Sequence, residues 1–187
     1  MEFSTKPWLW IGLIYGSQSL GAILVTWLFG INMRETIVAI LLLVMGTALA
    51  LFFLYRPPRP GKQETLSLLL PTLIYCLFIF YLSSKSFDDV TTSVDTDLFH
   101  PVEYATLGIL LCWNWQPVLK RRGVFPFILG VLSTGMLYGI TDELHQSFVS
   151  GRDADMYDLV LDIVGLSLGC LAFLYGSTRT PAARSRL

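Results

Sequence analysis

Residues 138–153 read Tyr138-Gly139-Ile140-Thr141-Asp142-Glu143-Leu144-His145-Gln146-Ser147-Phe148-Val149-Ser150-Gly151-Arg152-Asp153. Two carboxylates, a histidine, a glutamine, an arginine and a third carboxylate are packed between two strongly apolar segments, 124–142 and 157–175. In a water-soluble chain such a run is an ordinary polar turn. Between segments that can cross a bilayer it is a break at a membrane boundary, where polar groups are costly unless paired or hydrated and so mark a site.

The rest of the chain supports the membrane reading. Of the 187 residues 53% are hydrophobic and only 14% charged, whereas soluble domains carry about a quarter charged residues. Apolar segments fall near 8–29, 36–55, 66–82, 102–118, 124–142 and 157–175, and a helix crosses the hydrocarbon core in about 17–25 residues. The reading is an all-α integral membrane protein, a six-transmembrane-helix bundle. The first segment is too long for the core of a cleaved signal and lacks a clear cleavage site. The net charge of −1 says nothing about nucleic acid, but no cluster resembles a nucleic-acid footprint, and no nucleic-acid partner is expected. Cys76, Cys112 and Cys170 lie inside apolar runs without CxxC spacing and read as reduced packing residues.

Basic residues set the orientation. Lys6, the cluster Arg56/Arg59/Lys62, the cluster Lys120/Arg121/Arg122 and the tail Arg179/Arg184/Arg186 put 10 of them on one side of a six-span chain; Arg34, Lys85 and Arg152 put 3 on the other. The positive-inside rule then places both termini in the cytoplasm. Twelve of the 14 acids fall outside or near the outer helix ends, including Asp88, Asp89, Asp95 and Asp97 in a loop over 83–100 that is expected to be solvated. Pro57, Pro58 and Pro60 stiffen a cytoplasmic link. The expected organisation is a two-span extension over 1–62, a four-span domain over 63–178 and a basic tail over 179–187. Gly12-xxx-Gly16 and Gly165-xxx-Gly169 have the small-residue spacing that permits close helix approach. Trp8, Trp10, Trp27, Trp113, Trp115 and Tyr55 fall near span ends and read as interfacial anchors.

Three polar sets converge on the outer side. His100, Glu103 and Tyr104 share one face at the start of the fourth span. Asp142, His145 and Gln146 share a face at the end of the fifth, with Glu143 pointing elsewhere. Asp155, Asp158 and Asp162 form a stripe down the start of the sixth, with Asp155 placed as its N-cap. Arg152 and Asp153 sit in the short connection, which holds the last two sets at one depth. Asp162 lies deepest and calls for a partner: His145, Arg152 or a histidine of the fourth span. The expected pocket is lined by spans four to six and faces outward. Catalysis would fall to Asp142, His145 and Asp162, one histidine moving a proton and a carboxylate orienting it. His100, Glu103, Tyr104, Glu143, Gln146, Arg152 and Asp158 would contact the ligand, Arg152 gripping a phosphate or carboxylate. His100, Glu103, Asp142 and His145 offer the nitrogen and oxygen atoms that zinc or manganese accept. The HExxH spacing is absent, so no metal ligand and no cofactor are assigned. A third reading makes the cluster a helix-locking ion network, with Arg152 paired to Asp142, Glu143 or Asp158 and the histidines capping helix ends. Ser83 and Ser84 read as a helix terminus.

These same residues resemble the VanZ-like family of small membrane proteins. Phe80-Tyr81-Leu82-Ser83-Ser84 is similar to its F-x-x-S-S, and His100-Pro101-Val102-Glu103-Tyr104-Ala105-Thr106-Leu107-Gly108 to its H-F-x-E-Y-x-x-L-G. Asp142 to Arg152 resembles D-E-x-x-Q-x-F-x-P-G-R, and Asp158-xxx-Asp162-xx-Gly165 its D-x-x-x-D/N-x-x-G. The four motifs, in order, cover about 66–175. Ser150 stands where the family has proline, Pro101 where it has phenylalanine, and Asp97 and Leu98 where a basic residue often precedes the histidine. The resemblance implies a cell-envelope role associated with resistance to teicoplanin-type glycopeptide antibiotics. It leaves catalysis and binding both open: an envelope-component binder, a membrane-embedded hydrolase or transferase on a lipid-linked substrate, or a structural module or small transporter. The partners it implies are membrane lipid and a lipid-linked envelope precursor or glycopeptide-related ligand; no oligomeric state is assigned.

Overall fold

All six apolar segments fold as helices. In the computed structural model, which describes residues 6–85, 100–152 and 155–178, they are α1 (Pro7–Leu28), α2 (Met33–Tyr55), α3 (Lys62–Ser83), α4 (His100–Arg122), α5 (Val124–Gln146) and α6 (Met156–Thr178). The acidic loop residues Asp88, Asp89, Asp95 and Asp97, together with Asp153 and the basic tail, lie outside the described residues. Five helices are long and apolar enough to cross a membrane. The sixth, α4, carries His100, Glu103, Asn114, Gln116 and three basic residues in its last turn. It can be the most polar because it is the most enclosed: α1, α3, α5 and α6 all pack on it.

Local chemistry sets the helix ends. Pro7 opens α1, where its missing N–H costs nothing. The Asn32 side chain accepts from the Arg34 N–H at 3.0 Å and caps α2. Asp155 caps α6 as the sequence expects, its carboxylate accepting from the Tyr157 N–H at 2.9 Å. Between α4 and α5 there is a single residue, Gly123, at φ 88°. That left-handed backbone suits glycine and reverses the chain into an antiparallel neighbour.

The closest packing joins α4 to α6. A Cβ on Gly165 would stand 2.5 Å from the Pro101 carbonyl oxygen, and one on Gly169 2.1 Å from that of Ala105. Gly108 returns the contact against Leu166. The small-residue spacing seen in the sequence therefore marks a backbone-to-backbone contact. The α1–α2 pairing is looser: Cβ atoms on Gly12 and Gly16 would meet Ala50 and Thr47 at 3.5 and 3.9 Å, ordinary contact. Gly46 provides the closer fit there, leaving room for the Tyr15 ring. The Tyr15 hydroxyl donates to the Pro71 carbonyl and ties α1 to α3.

The core runs along the bundle axis through Tyr15, Leu43, Tyr75, Leu107, Phe127, Leu166 and Phe173, while large apolar residues such as Leu20, Leu73 and Leu137 face outward. An apolar exterior of this extent suits lipid. Trp27 and Tyr55 are exposed near helix ends, as interfacial anchors should be. Trp8 and Trp113 are not: both are buried, Trp8 against Phe53 and Trp113 edge-on to Phe173. Proximity to a span end did not separate inward-facing rings from outward-facing ones.

Candidate functional site

The chain reverses three times at one end of the bundle, between α1 and α2, α3 and α4, and α5 and α6. That end collects His100, Asp142, Glu143, Gln146, Asp158 and Asp162, all buried. Of residues 142–152, Asp142, Glu143 and Gln146 thus turn inward, while Ser147, Phe148, Ser150 and Gly151 stay exposed.

The partnerships are specific. His100 Nδ1 lies 3.1 Å from Asp162 Oδ1, and its Nε2 is 4.0 Å from Asp158 Oδ2. The partner that the deep carboxylate requires is the histidine of the fourth span. Ser83 Oγ lies 2.7 Å from Asp142 Oδ1 and 3.0 Å from the Phe80 carbonyl. Its one proton goes to the carboxylate, the shorter and charge-assisted bond. Gln146 approaches the other Asp142 oxygen at 3.4 Å. Ser84 Oγ is 2.7 Å from the Phe80 carbonyl and 2.9 Å from His145 Nε2. Both contacts are satisfied when Ser84 donates to Phe80 and His145 Nε2–H donates to Ser84. His145 also stacks on Phe80, ring centroids 4.1 Å apart. Through these contacts His145 joins the end of α5 to the end of α3.

Glu143 departs from its place on a simple helical wheel. It lies off the Asp142/Gln146 stripe, yet it is buried because the α5–α6 connection folds over it, and its Oε2 accepts the Asp155 N–H at 3.0 Å. Arg152 Nε donates to the Lys85 carbonyl at 3.0 Å, joining the α5–α6 connection to the end of α3. Lys85 is bound in turn to Glu35 of α2 at 3.1 Å, and Tyr81 donates to the Glu35 carbonyl. Burial of an ordinary Lys–Glu pair is slight here; the Glu35 hydrogen bond holds the Lys85 ammonium above its usual range.

A cavity of about 410 Å³ opens beside this cluster. Its polar end is formed by His100, Glu103, Asp142, Gln146 and Arg152, with Ser83. Its remaining wall is mostly apolar and comes largely from α1, α2 and α3, with Val25, Ala39, Leu43, Phe78 and Leu82 interrupted by Gln18, Thr26 and Thr36. The pocket is therefore not confined to spans four to six. Hydropathy marks α1 and α2 as apolar but does not reveal that one face of each turns toward the site. Tyr104 is buried behind His100, with near-parallel rings whose centroids are 6.3 Å apart, and Asp158 and Asp162 stand behind the same histidine. Ser83 and Ser84 were the partners that residue chemistry alone passed over; the Phe80–Ser84 motif was their signal.

A model of the VanZ/LLP1 family matches residues 37–176, from within α2 to nearly the end of α6. No curated protein and no solved structure matches the chain.

Proposed function

The chain belongs to the VanZ/LLP1 family, and from that premise we propose that this multi-pass membrane protein binds an amphiphilic envelope component, such as a lipid-linked precursor, and thereby lowers the action of teicoplanin-type glycopeptides. The observation that carries this reading is the two-sided cavity. An apolar wall of Val25, Leu43, Phe78 and Leu82 runs into a polar end bearing Arg152, Gln146 and His100. An acyl or isoprenoid tail suits the first part. A phosphorylated or glycosylated head group suits the second, where Arg152 supplies a planar set of donors and Gln146 and Ser83 lie close by.

In this reading the bundle spans the membrane six times with both termini in the cytoplasm, and the cavity faces the outer leaflet. Supporting it, the basic clusters 56–62 and 120–122 stand at the opposite end of the helices from His100 and Asp142. A second reading, hydrolysis or group transfer on the bound head group, is favoured by the His100–Asp162 pair: a carboxylate holding one ring nitrogen is the arrangement that orients an imidazole for proton transfer.

Cavity filling tests the binding reading. Native mass spectrometry of the purified protein should show a retained amphiphile that Ala39→Trp removes, and cells carrying Ala39→Trp should lose any added teicoplanin tolerance. Identical retained lipid in the filled and unfilled proteins, with unchanged tolerance, would sink it.

A further inference from the structure

Glu143, a residue set apart by helical periodicity, lies beside the His100–Asp162 pair. One ring nitrogen of His100 and one carboxylate oxygen from each of Glu143 and Asp162 all lie within 4.8 Å of one another. The three come from α4, α5 and α6, so the packing of three helices, not one loop, builds the group. Each is more than nine-tenths buried: His100 is 6% exposed, Glu143 5% and Asp162 1%.

Each carboxylate is held by one oxygen and has the other to spare. Glu143 Oε2 takes the Asp155 N–H and Asp162 Oδ1 takes His100, while Glu143 Oε1 and Asp162 Oδ2 have no hydrogen-bond partner among the described residues. Anchoring one side of a ligand while freeing the other is the usual job of the groups around a metal. Glycine at 139 preserves access: a Cβ there would stand 2.8 Å from Asp162 Oδ2.

Charge points the same way. Glu103, Asp142 and Asp158 lie near this trio, making five carboxylates, and Arg152 is the one permanent cation among the described residues lining the cavity. Buried carboxylates without countercharge are costly, and a dication would offset two of them.

We propose that His100, Glu143 and Asp162 bind a divalent transition-metal cation of the manganese or zinc type just behind the polar end of the cavity. One imidazole and two carboxylates suit those ions, whereas magnesium and calcium favour all-oxygen shells. Ligand atoms about 2.0–2.2 Å from a tetrahedral cation stand about 3.3–3.6 Å apart, so the most widely spaced pair in the trio has to close by up to about an ångström and a half, within reach of side-chain rotation. Of the three, only His100 also lines the cavity, so the imidazole stands between the proposed ion and the space where a head group would lie. This goes beyond the binding reading and does not depend on it.

The test is a titration of chelator-stripped, purified protein with manganese chloride, free Mn²⁺ being read by electron paramagnetic resonance, and a parallel zinc titration by calorimetry. One ion per chain is expected. Asp162→Asn and Glu143→Gln should each weaken binding at least about tenfold, Asp142→Asn should leave it within about threefold, and Mn²⁺ should raise the unfolding midpoint of the unsubstituted protein. Neither ion binding stoichiometrically to the unsubstituted protein overturns the proposal, whatever the variants do. So does binding that both Asp162→Asn and Glu143→Gln leave intact. No lipid enters this titration, so its failure and the failure of lipid binding are separate results.

Discussion

Adding one methyl group at Gly165 should damage the site without touching any of its polar residues. Gly165 lies one turn beyond Asp162 on α6 and against the start of α4, where a Cβ would stand 2.5 Å from the Pro101 carbonyl oxygen and 3.0 Å from the Ala105 nitrogen. Real Cβ atoms essentially never come closer than 3.0 Å, and ordinary contact begins at 3.4 Å. The clash is with backbone on both sides, so no side chain can swing away. Gly165→Ala therefore has to part the helices by roughly half an ångström to an ångström. The His100–Asp162 bond crosses the same gap at 3.1 Å, and the same displacement takes it past about 3.6 Å, where a hydrogen bond no longer exists. Overpacking costs about 1–3 kcal/mol and an abandoned buried polar pair about 1–3 kcal/mol, while alanine recovers up to about 1 kcal/mol of helix propensity. The net loss is about 1–5 kcal/mol. Reversible unfolding in mixed micelles, followed by circular dichroism, measures it, with Gly21→Ala as the control because a Cβ there meets nothing within 4 Å. If Gly165→Ala proves as stable as Gly21→Ala, the helices are not in backbone contact and the site's geometry rests on a wrong premise.

Three further outcomes are expected. Ser83→Ala removes the 2.7 Å donor to Asp142 and should lower stability by about 1–3 kcal/mol; the same unfolding assay checks it, and an unchanged midpoint would show that the carboxylate does not depend on that hydroxyl. A double-mutant cycle on Glu35 and Lys85 should give a coupling below about 1 kcal/mol, since both side chains are part-exposed. Because Lys85 is held above its usual range, its contribution is complete below that range and fades only as pH rises through the raised value, so the coupling should be the same at about pH 6 and about pH 9. Finally, Ser150→Cys, at an exposed turn, should react with a membrane-impermeant maleimide added to intact cells; labelling only after the membrane is opened would invert the proposed orientation.

The helices were legible because length and hydropathy suffice for them: all six apolar segments became helices, and α2 to α6 are longer than their apolar runs because polar ends continue the same backbone. Asp162 likewise announced its need, since a carboxylate that deep in an apolar stretch requires a partner, and a histidine of the fourth span met it. What hydropathy does not encode is which face of an apolar helix turns inward. Tyr15 lying over Gly46 and binding Pro71 brings α1 against the rest of the bundle, and that contact depends on shape rather than on any apolar–polar alternation. Glu143 was placed by periodicity, which describes a helix alone; the connection that folds over it is a tertiary fact. The His145 contacts with Phe80 and Ser84 likewise join α5 to α3 across a gap that residue spacing does not describe.

The arrangement also bears on whether the cluster merely locks helices together. A lock gains most when every buried polar atom is used, because an unused one costs about 1–3 kcal/mol. Part of this cluster behaves that way: Ser83 with Asp142, His145 with Ser84, and Arg152 with the Lys85 carbonyl each join two segments. The remainder does not. Asp162 Oδ2, Glu143 Oε1 and Gln146 Oε1 are buried with no partner among the described residues, and Gln146 borders the cavity. Apolar side chains would pack these three helices at lower cost. Spare buried acceptors, one of them at the edge of an open volume, on side chains held in place by other bonds are what a site prepared for a ligand requires. The locking pairs and the spare atoms thus divide the labour: the first position the helix ends, and the second leave the chemistry unspent.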